Sequence, residues 1–296
     1  MSSRRDFMKM GAVLAAGSLG LPGIARAIQP VSRKGTPTIK VGCAAYSYSR
    51  YIRANTMTLE GFIDLAAEIG CDGVELTSYY FPPNFDIQYI NKIKRQAFLL
   101  GLDISATSVG NQFTFPPGPD RDKNIAHVKQ WIDHAAEMGA PCMRVFGGPV
   151  PKGSSVEEAS QWVVECMEEC AKSAEQRGVV LALENHGGVT TNADRLLSIM
   201  KSVSSDWVGV NLDTGNFVAD DPYAAIEKAS PYTVTTHIKT QVSPTGKPKE
   251  EVDVQRIVNI LRKAEYRGYL TVEYEGAEEP KTAVPKLIQA MKGAIG

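Results

Sequence analysis

The feature that most constrains the fold is an eightfold alternation of strand-like and helix-like segments, which begins at Ile39 and continues to the end of the 296-residue chain. Short apolar runs alternate with longer stretches, such as residues 59–69, whose apolar side chains recur at helical spacing. The expected strands are residues 39–45, 73–77, 103–109, 142–146, 179–184, 207–212, 234–239 and 269–274. Eight strand–helix pairs predict an α/β chain folded as a (β/α)8 TIM barrel.

Glycines mark the expected ends of several helices directly before strands. Gly139 and Gly178 follow the helical stretches 125–138 and 156–176, and Gly268 precedes the last strand in the same way. The alternative fold is an open doubly wound sheet, which usually has fewer strands and a Gly-rich phosphate loop after the first one, and this chain has no such loop there. We therefore expect a single barrel domain over residues 38–296, preceded by an N-terminal linker over residues 28–37.

Residues 1–27 have the pattern of an export signal. A charged start with Arg4 and Arg5 is followed by an uncharged stretch, and Ala25-Arg26-Ala27 offers a cleavage site after Ala27. The arginine pair resembles a twin-arginine signal, which predicts the twin-arginine export machinery as a partner and a periplasmic or otherwise exported location. The alternative is a membrane anchor, but the run is short and Gly-rich for a hydrocarbon core of about 30 Å. We expect no stable membrane insertion after cleavage.

Charge and cysteine content exclude further classes. The whole chain has a formal net charge of −1, and residues 1–27 contribute four basic and one acidic side chain, so the remainder carries −4. Proteins that bind nucleic acid usually have a basic excess, so we expect no nucleic-acid partner. The cysteines lack zinc-type spacing and are expected to be buried free thiols: Cys43, Cys71, Cys142, Cys166 and Cys170.

Four candidate metal ligands lie at the ends of the last four expected strands: Glu184, Asp213, His237 and Glu273. The carboxyl ends of barrel strands converge at one mouth, where three carboxylates would repel each other unless a cation lay between them. Taken singly, each residue is more often a cap, a surface charge or a core histidine. Together they predict one divalent metal ion, and the donor set suits Mn²⁺, Mg²⁺ or Co²⁺, with Zn²⁺ as an alternative. By contrast, His127 and His134 are expected to be surface or packing residues.

The segments after the first three strands are expected to form a carbohydrate pocket. Nine aromatic residues fall there: Tyr46, Tyr48, Tyr51, Tyr79, Tyr80, Phe81, Phe85, Phe113 and Phe115. Aromatic faces at a barrel mouth suit stacking on a sugar ring, whereas the alternative is that these rings pack under loops or form the contact of a homo-oligomer. Candidate hydrogen-bonding residues for the substrate are Glu75, Asn111, Arg144, His186 and Lys239, although such residues also satisfy buried backbone groups.

The strand-end motifs resemble the xylose-isomerase-like barrel superfamily of sugar phosphate isomerases and epimerases, which includes tagatose 3-epimerase, inosose dehydratases and endonuclease IV. The resemblance covers essentially the whole chain after the signal and depends on these motifs: Gly73-Val74-Glu75-Leu76, Glu184-Asn185-His186, Asp213-Thr214-Gly215-Asn216, His237-Ile238-Lys239 and Val272-Glu273-Tyr274-Glu275-Gly276. It implies that the four candidate ligands bind one metal and that Glu184 and Glu273 also act as acid/base groups on opposite faces of the sugar.

Two positions depart from the family pattern. The epimerases often have a substrate-contacting histidine where this chain has Asn216, and the common His-x-Lys-Asp continues here with Thr240. These departures leave the substrate and the reaction outcome open without touching the four candidate ligands.

The leading functional prediction is a sugar isomerase or epimerase that abstracts a proton next to the carbonyl of an unphosphorylated sugar or keto-sugar. The same ligands would support β-elimination by a 3-keto-glycoside lyase, which is the alternative enzyme. An endonuclease IV-like nuclease would need a three-metal cluster, and the chain has only four histidines. A non-catalytic sugar-binding barrel would be favoured if no metal bound.

Overall fold

The computed structural model of the protein describes residues 28–296. The predicted twin-arginine signal and its cleavage site lie outside the described residues, so export stays a prediction. Residues 28–37, the expected linker, form no helix or strand and lie against the barrel: the Val31 N–H donates to the Pro231 carbonyl at 2.9 Å, and Arg33 donates to the Thr233 carbonyl. Within residues 28–296, no helix is both long and apolar enough to cross a membrane.

The strands are β1 (Ile39–Ala44), β2 (Gly73–Thr77), β3 (Asp103–Ser108), β4 (Cys142–Phe146), β5 (Val180–Glu184), β6 (Val208–Asp213), β7 (Val218–Ala219), β8 (Thr233–Ile238), β9 (Gln241–Pro244), β10 (Glu250–Glu251) and β11 (Gly268–Val272). The α-helices are α1 (Ser49–Arg53), α2 (Leu59–Glu68), α3 (Ile87–Leu99), α4 (Pro119–Met138), α5 (Val156–Arg177), α6 (Ala193–Ser202), α7 (Pro222–Ala229), α8 (Val254–Lys263) and α9 (Pro280–Ile295). Short 3₁₀ helices cover Ala45–Tyr48, Ser78–Tyr80, Gly188–Thr190 and Ser230–Tyr232.

Eight of these strands pair in parallel and close into a barrel in the order β1-β11-β8-β6-β5-β4-β3-β2. The predicted (β/α)8 fold is confirmed. The remaining strands form a separate sheet in the order β10-β9-β7, built from the segments that follow β6 and β8. The sequence analysis did not predict this small sheet, which places residues 241–251 beside the carboxyl ends of the barrel strands.

Helix ends follow local sequence signals, with one exception. Gly139 and Gly178 adopt left-handed backbone with φ of 77° and 70° after α4 and α5, as predicted. The prediction that Gly268 ends a helix is wrong. Helix α8 ends at Lys263, Glu265 takes the left-handed conformation with φ 56°, and Gly268 begins β11.

Small residues at the amino-terminal end of the barrel make room for larger side chains that fill its interior. A Cβ atom on Gly73 would lie 2.7 Å from the ring of Tyr269, and one on Gly209 would lie 2.4 Å from Val234 Cγ1. The Tyr269 hydroxyl donates to Asp103. The interior is packed rather than hollow at this end, as in other (β/α)8 barrels, so functional side chains are left to the opposite, carboxyl-terminal mouth.

Many of the aromatic residues predicted to stack on a sugar pack inside the protein instead. Tyr48 and Phe113 are fully buried. Phe81 and Phe85 lie 5.1 and 5.7 Å from the ring of Trp131, in a cluster between α3 and α4. For these rings, packing under the loops is the correct alternative.

Other residues of the chain behave as predicted. The ring of His134 lies 4.8 Å from that of Phe85, which confirms its packing role. All five cysteines are buried and unpaired, also as predicted. Other aromatic residues of the predicted pocket keep some exposure, since Tyr46, Tyr51 and Phe115 are half-buried and Tyr79 is 46% exposed.

Candidate metal centre

The barrel brings the four candidate ligands together at its carboxyl-terminal mouth. Glu184 and Asp213 are the last residues of β5 and β6, His237 is the penultimate residue of β8, and Glu273 directly follows β11. One possible ligand atom from each lies within 4.8 Å of the others, and all four side chains are buried. The alternation of side chains along the strands contributes to this convergence, because it turns each of these residues towards the barrel axis near the carboxyl end of its strand.

Glu184 is held from three directions by nitrogen atoms. Its Oε2 atom lies 3.1 Å from Arg144 Nε, and it accepts a hydrogen bond from Asn211 Nδ2 at 3.1 Å. Its Oε1 atom accepts from Asn216 Nδ2 at 3.2 Å. The carboxylate is therefore fixed in one orientation, and its charge faces a buried guanidinium.

Asp213 has one oxygen engaged and one free of hydrogen bonds. Its Oδ1 atom accepts from the backbone N–H groups of Gly215 and Asn216 at 2.8 and 3.1 Å. Its Oδ2 atom is buried and makes no hydrogen bond, although Lys239 Nζ lies 3.4 Å away. A buried carboxylate oxygen without a hydrogen bond is costly unless a cation faces it.

The two nitrogens of His237 face different partners. Its Nε2 atom lies 3.0 Å from both carboxylate oxygens of Glu75. Its Nδ1 atom faces the cluster, 3.5 Å from Glu184 Oε2 and 3.4 Å from Glu273 Oε2, with Asn211 Nδ2 at 3.1 Å. Nδ1 is therefore the nitrogen that can act as a ligand.

Glu273 forms the other edge of the cluster and pairs with a lysine. Its Oε2 atom accepts from Lys239 Nζ at 2.5 Å, and the same ammonium lies 2.8 Å from Glu275 Oε2. Lys239 is 7% exposed, whereas Glu275 is exposed at the mouth. A continuous row of charged groups thus runs from the cluster to solvent.

The ionisation of the cluster reflects competition between burial and neighbouring charge. Burial, reinforced by the charges of Glu184 and Glu273, raises the pKa of Asp213 to about 7. Burial also opposes ionisation of Glu273, but the positive charges of His237 and Lys239 outweigh it and hold the pKa of Glu273 well below its usual range. The pKa of Glu184 is lowered in the same way, against burial, by His237 and Arg144.

His237 shows the opposite shift from the one that burial alone would give. Burial favours the neutral imidazole, yet the charges of Glu273 and Glu75 raise the pKa of His237 well above its usual value. The surrounding carboxylates therefore attract positive charge strongly.

Two observations show that the donor set fits one metal ion. The first is the donor chemistry, since three carboxylates and one imidazole nitrogen converge within 4.8 Å. The second is the buried Asp213 Oδ2 atom, which has no hydrogen-bond donor of its own. These four side chains can hold one metal ion.

The five residues predicted to bind substrate lie in different places. Arg144 and Lys239 reach the cluster directly. His186 is exposed at the mouth, with its ring 4.2 Å from that of Phe146. Substrate binding by these three side chains stays a prediction.

The other two have amide or carboxylate groups that are engaged within the protein. The Asn111 side chain donates to the Phe146 carbonyl at 2.9 Å and accepts from the Phe146 N–H at 2.8 Å. Glu75 is fully buried behind His237. Their predicted contact with substrate is not tested by these hydrogen bonds.

Sequence reasoning did not assign Asn211 and Glu275 to the site. Asn211 donates to Glu184 and faces His237 Nδ1, and Glu275 pairs with Lys239. Both could have been found from the alternation of side chains, because each lies two residues from a candidate ligand on the same strand or strand extension.

A closed (β/α)8 barrel with one carboxylate- and histidine-lined cluster at its carboxyl-terminal mouth defines the class of this protein. The sequence model of the xylose isomerase-like TIM barrel matches residues 63–294. The chain belongs to this family, and the predicted family resemblance is confirmed. A comparison with curated protein sequences found no match.

Solved structures share the fold at low sequence identity. D-psicose 3-epimerase from Clostridium cellulolyticum H10, determined with D-tagatose, has 19% identity and a TM-score of 0.67, covering 86% of this chain and 99% of its own. The 3-keto-D-glucoside 4-epimerase from E. coli has 17% identity and a TM-score of 0.67, covering 87% and 100%. The IolI protein with a bound zinc atom has 18% identity and a TM-score of 0.70, covering 86% and 96%.

Proposed function

We propose that this protein is a metal-dependent sugar isomerase or epimerase that abstracts a proton next to the carbonyl of an unphosphorylated sugar or keto-sugar. The observation that carries the proposal is the buried cluster, in which Glu184 and Glu273 flank His237 Nδ1 at 3.5 and 3.4 Å. Epimerisation needs one group that removes a proton from the substrate and a second group that supplies one, and two carboxylates on either side of a common centre can fill these roles.

Glu184, Asp213, His237 and Glu273 would hold one divalent ion, with Mn²⁺, Mg²⁺ or Co²⁺ preferred over Zn²⁺ because three of the four donors are carboxylates. A divalent ion in this place supplies polarisation of the substrate carbonyl and offsets the negative charge that remains when the proton leaves.

Glu184 and Glu273 are the proposed acid/base pair. One carboxylate accepts the proton from the carbon next to the carbonyl, and the C–H electron pair forms the double bond of an enediolate. The other glutamate, protonated beforehand from solvent, gives its proton to the opposite face of the same carbon. The enediolate electron pair forms the new C–H bond, the carbonyl is restored and the centre is inverted. Delivery to the neighbouring carbon instead gives isomerisation. Buried Arg144 lies beside Glu184 and buried Lys239 lies beside Glu273, which favours the ionised form of whichever glutamate acts as the base.

Polar and aromatic groups at the mouth and directly beneath it are the proposed substrate contacts. Arg144, His186 and Lys239 would bind substrate hydroxyl groups, and Tyr46 and Tyr79 would stack on the sugar ring. The neighbouring structures support a carbohydrate substrate, since they include enzymes named for D-psicose and for a 3-keto-D-glucoside. Export through the Arg4-Arg5 signal, also proposed, favours substrates that occur outside the cytoplasm.

A 3-keto-glycoside lyase is the second candidate, and Lys239 is the observation that favours it. Elimination requires a proton donor for the departing oxygen, and the Lys239 ammonium is buried beside Glu273 at the mouth. In that reaction the carbanion electron pair would form a carbon–carbon double bond as the C–O bond breaks, and Lys239 would protonate the leaving oxygen.

The proposal is tested by hydrogen exchange in deuterium oxide with D-psicose, D-tagatose and a 3-keto-glucoside as substrates. Wild-type protein loaded with Mn²⁺ should exchange the proton next to the carbonyl of at least one of these sugars. Glu184→Gln and Glu273→Gln keep one ligand oxygen but cannot accept a proton. Net conversion of substrate into epimer or isomer, measured beside the exchange, should therefore fall by roughly 10²–10⁴-fold in each variant.

Glu137→Gln is the control, because Glu137 is half-exposed on α4 and pairs with Arg177 far from the mouth. This variant should exchange at the wild-type rate. If both metal-loaded site variants also did so, Glu184 and Glu273 would not be the acid/base groups. Release of a free alcohol or aglycone would identify the lyase instead.

A further inference from the structure

Glu75 is a buried carboxylate that the proposed reaction does not use. It lies in the middle of β2, its side chain points into the barrel, and it has no solvent exposure. Within residues 28–296, its hydrogen bonds both go to one atom, Nε2 of His237, which lies 3.0 Å from each carboxylate oxygen. A buried charge with a single partner is costly to maintain, so this contact has to be strong to persist.

The contact defines which imidazole nitrogen carries a proton. A carboxylate only accepts hydrogen bonds, so Nε2 must be the N–H donor. On the other side of the ring, the Asn211 amide nitrogen lies 3.1 Å from Nδ1 and also donates to Glu184 Oε2. The flipped orientation of that amide is excluded, because it would place the amide oxygen against the Glu184 carboxylate, and two acceptors cannot form a hydrogen bond. The Asn211 amide is therefore a donor towards Nδ1. With the Nε2 proton held by Glu75, Nδ1 is the nitrogen that can present a lone pair when a cation offsets the charges of the nearby Glu184 and Glu273 carboxylates.

Nδ1 is also the nitrogen that faces the proposed metal centre. We infer that Glu75 is a positioning residue which orients His237 and fixes its Nε2–H tautomer, so that the Nδ1 lone pair is presented to a divalent cation. The inference depends on the proposed metal centre and assigns Glu75 a role different from substrate binding. Carboxylates that accept from the outer N–H group of a ligand histidine raise its basicity and fix its ring.

The first test measures the affinity for Mn²⁺, by titration of the metal-free full-length protein with detection of free Mn²⁺ by electron paramagnetic resonance. Glu75→Gln removes the charge while keeping the size of the side chain, and should weaken Mn²⁺ binding by roughly 10–100-fold. Thr271→Val is the matched control. Thr271 pairs with His237 in register, is equally buried, and has a hydroxyl group without a hydrogen bond, so this variant should bind Mn²⁺ as wild type does.

The second test needs no variant at position 75, so it holds even if Glu75→Gln fails to fold. The chain has four histidines, and ¹⁵N spectra of the Mg²⁺-loaded protein labelled at histidine can resolve them, with His237 assigned from its loss in His237→Asn. We expect the Nε2–H tautomer at His237. A proton on Nδ1, or equal Mn²⁺ affinity of wild type and folded Glu75→Gln, would overturn the assignment of Glu75 alone. Absence of Mn²⁺ binding by wild type would overturn the metal proposal and this inference together.

Discussion

Replacement of Arg144 tests how the cluster balances its charge. Arg144 is the largest fully buried side chain of the described part of the chain, with Nε 3.1 Å from Glu184 Oε2 and a hydrogen bond to the Val109 carbonyl at 3.1 Å. Its guanidinium also lies 3.8 Å from the centre of the Phe146 ring. Arg144→Met keeps much of the packing volume but leaves the Glu184 carboxylate without its buried cationic partner.

The expected loss of stability is large in the absence of metal. Removing one member of a buried ion pair typically costs about 3–5 kcal/mol, because the other charge remains buried and uncompensated. For a domain of this size the melting temperature falls by roughly 2–4 °C per kcal/mol. Lys40→Met provides the comparison. Lys40 and Asp103 form a pair at 2.8 Å whose side chains are 49% and 59% exposed, and such pairs contribute about 0–1 kcal/mol.

Divalent metal should reduce the difference in free energy of unfolding between Arg144→Met and wild type. Arg144 and a bound cation both offset the charge of Glu184, so loss of the guanidinium should increase cation affinity. Each tenfold increase adds about 1.4 kcal/mol to the stabilisation by saturating metal. The assay is urea unfolding with EDTA and with Mn²⁺. A loss below about 1 kcal/mol in EDTA, equal to that of Lys40→Met, would refute the charge argument. If the difference in free energy of unfolding between Arg144→Met and wild type were the same with Mn²⁺ as with EDTA, Arg144 and the cation would not both offset the charge of Glu184.

Three further predictions concern the metal, export and acid stability. Asp213→Ala and His237→Ala should each strip the metal, and elemental analysis that finds wild-type content in both would contradict the assigned ligands. When Arg4 and Arg5 are both changed to Lys, the protein should remain in the cytoplasm, and fractionation that still finds it exported would indicate another export route. Two lysines hold the pKa of Glu169 at about 2, so its contribution to stability is present above its usual pKa and is lost as the pH falls towards 2. Glu169→Gln should therefore lower stability at pH 7 by less than about 1 kcal/mol, and urea unfolding should show this difference vanish near pH 2, whereas a constant difference would contradict the pairing.

The barrel and the convergence of the candidate ligands could be predicted because both follow from periodic patterns. Strands of a closed parallel barrel end at one mouth, and alternation places Glu184 and Asp213 on the inner face of β5 and β6. Four ligand-type residues at four successive strand ends therefore come close together, and this does not depend on the structure of the loops. The prediction needed no knowledge of distances.

The roles of individual polar residues could not be predicted in the same way. Alternation tells which face a side chain occupies but not how deep along the barrel it lies, so it does not distinguish Glu75, in the middle of β2, from residues at the mouth. Its partner, His237, is 162 positions away along the chain. Irregular register adds to the difficulty, since the β2–β3 pairing shifts between Val74 and Glu75 and the β6–β8 pairing shifts between Val210 and Asn211. Two-residue strands such as β7 are also too short to show a period.

The two glutamates of the candidate site differ in their access to solvent protons, and this difference predicts which variant loses exchange. Glu184 faces the Arg144 guanidinium and the Asn216 amide, neither of which can give up a proton near neutral pH. Glu273 faces the Lys239 ammonium at 2.5 Å, and Lys239 lies 2.8 Å from the exposed Glu275, so groups with exchangeable protons connect Glu273 to solvent. Although burial opposes it, the neighbouring carboxylates raise the pKa of Lys239, so the ammonium gives a proton to Glu273 only as it takes up another from the solvent side.

A proton taken up by Glu273 can therefore be replaced from the medium, whereas one taken up by Glu184 is returned to the substrate before it exchanges. With Mn²⁺ and a responsive sugar in deuterium oxide, Glu184→Gln, which retains Glu273, should still incorporate deuterium next to the carbonyl, and Glu273→Gln should incorporate little. The measurement is ¹H NMR of the recovered sugar at matched metal content. Faster incorporation by Glu273→Gln than by Glu184→Gln would show that the Lys239–Glu275 row does not conduct the exchanging proton, and that solvent reaches the reacting carbon from the Glu184 side.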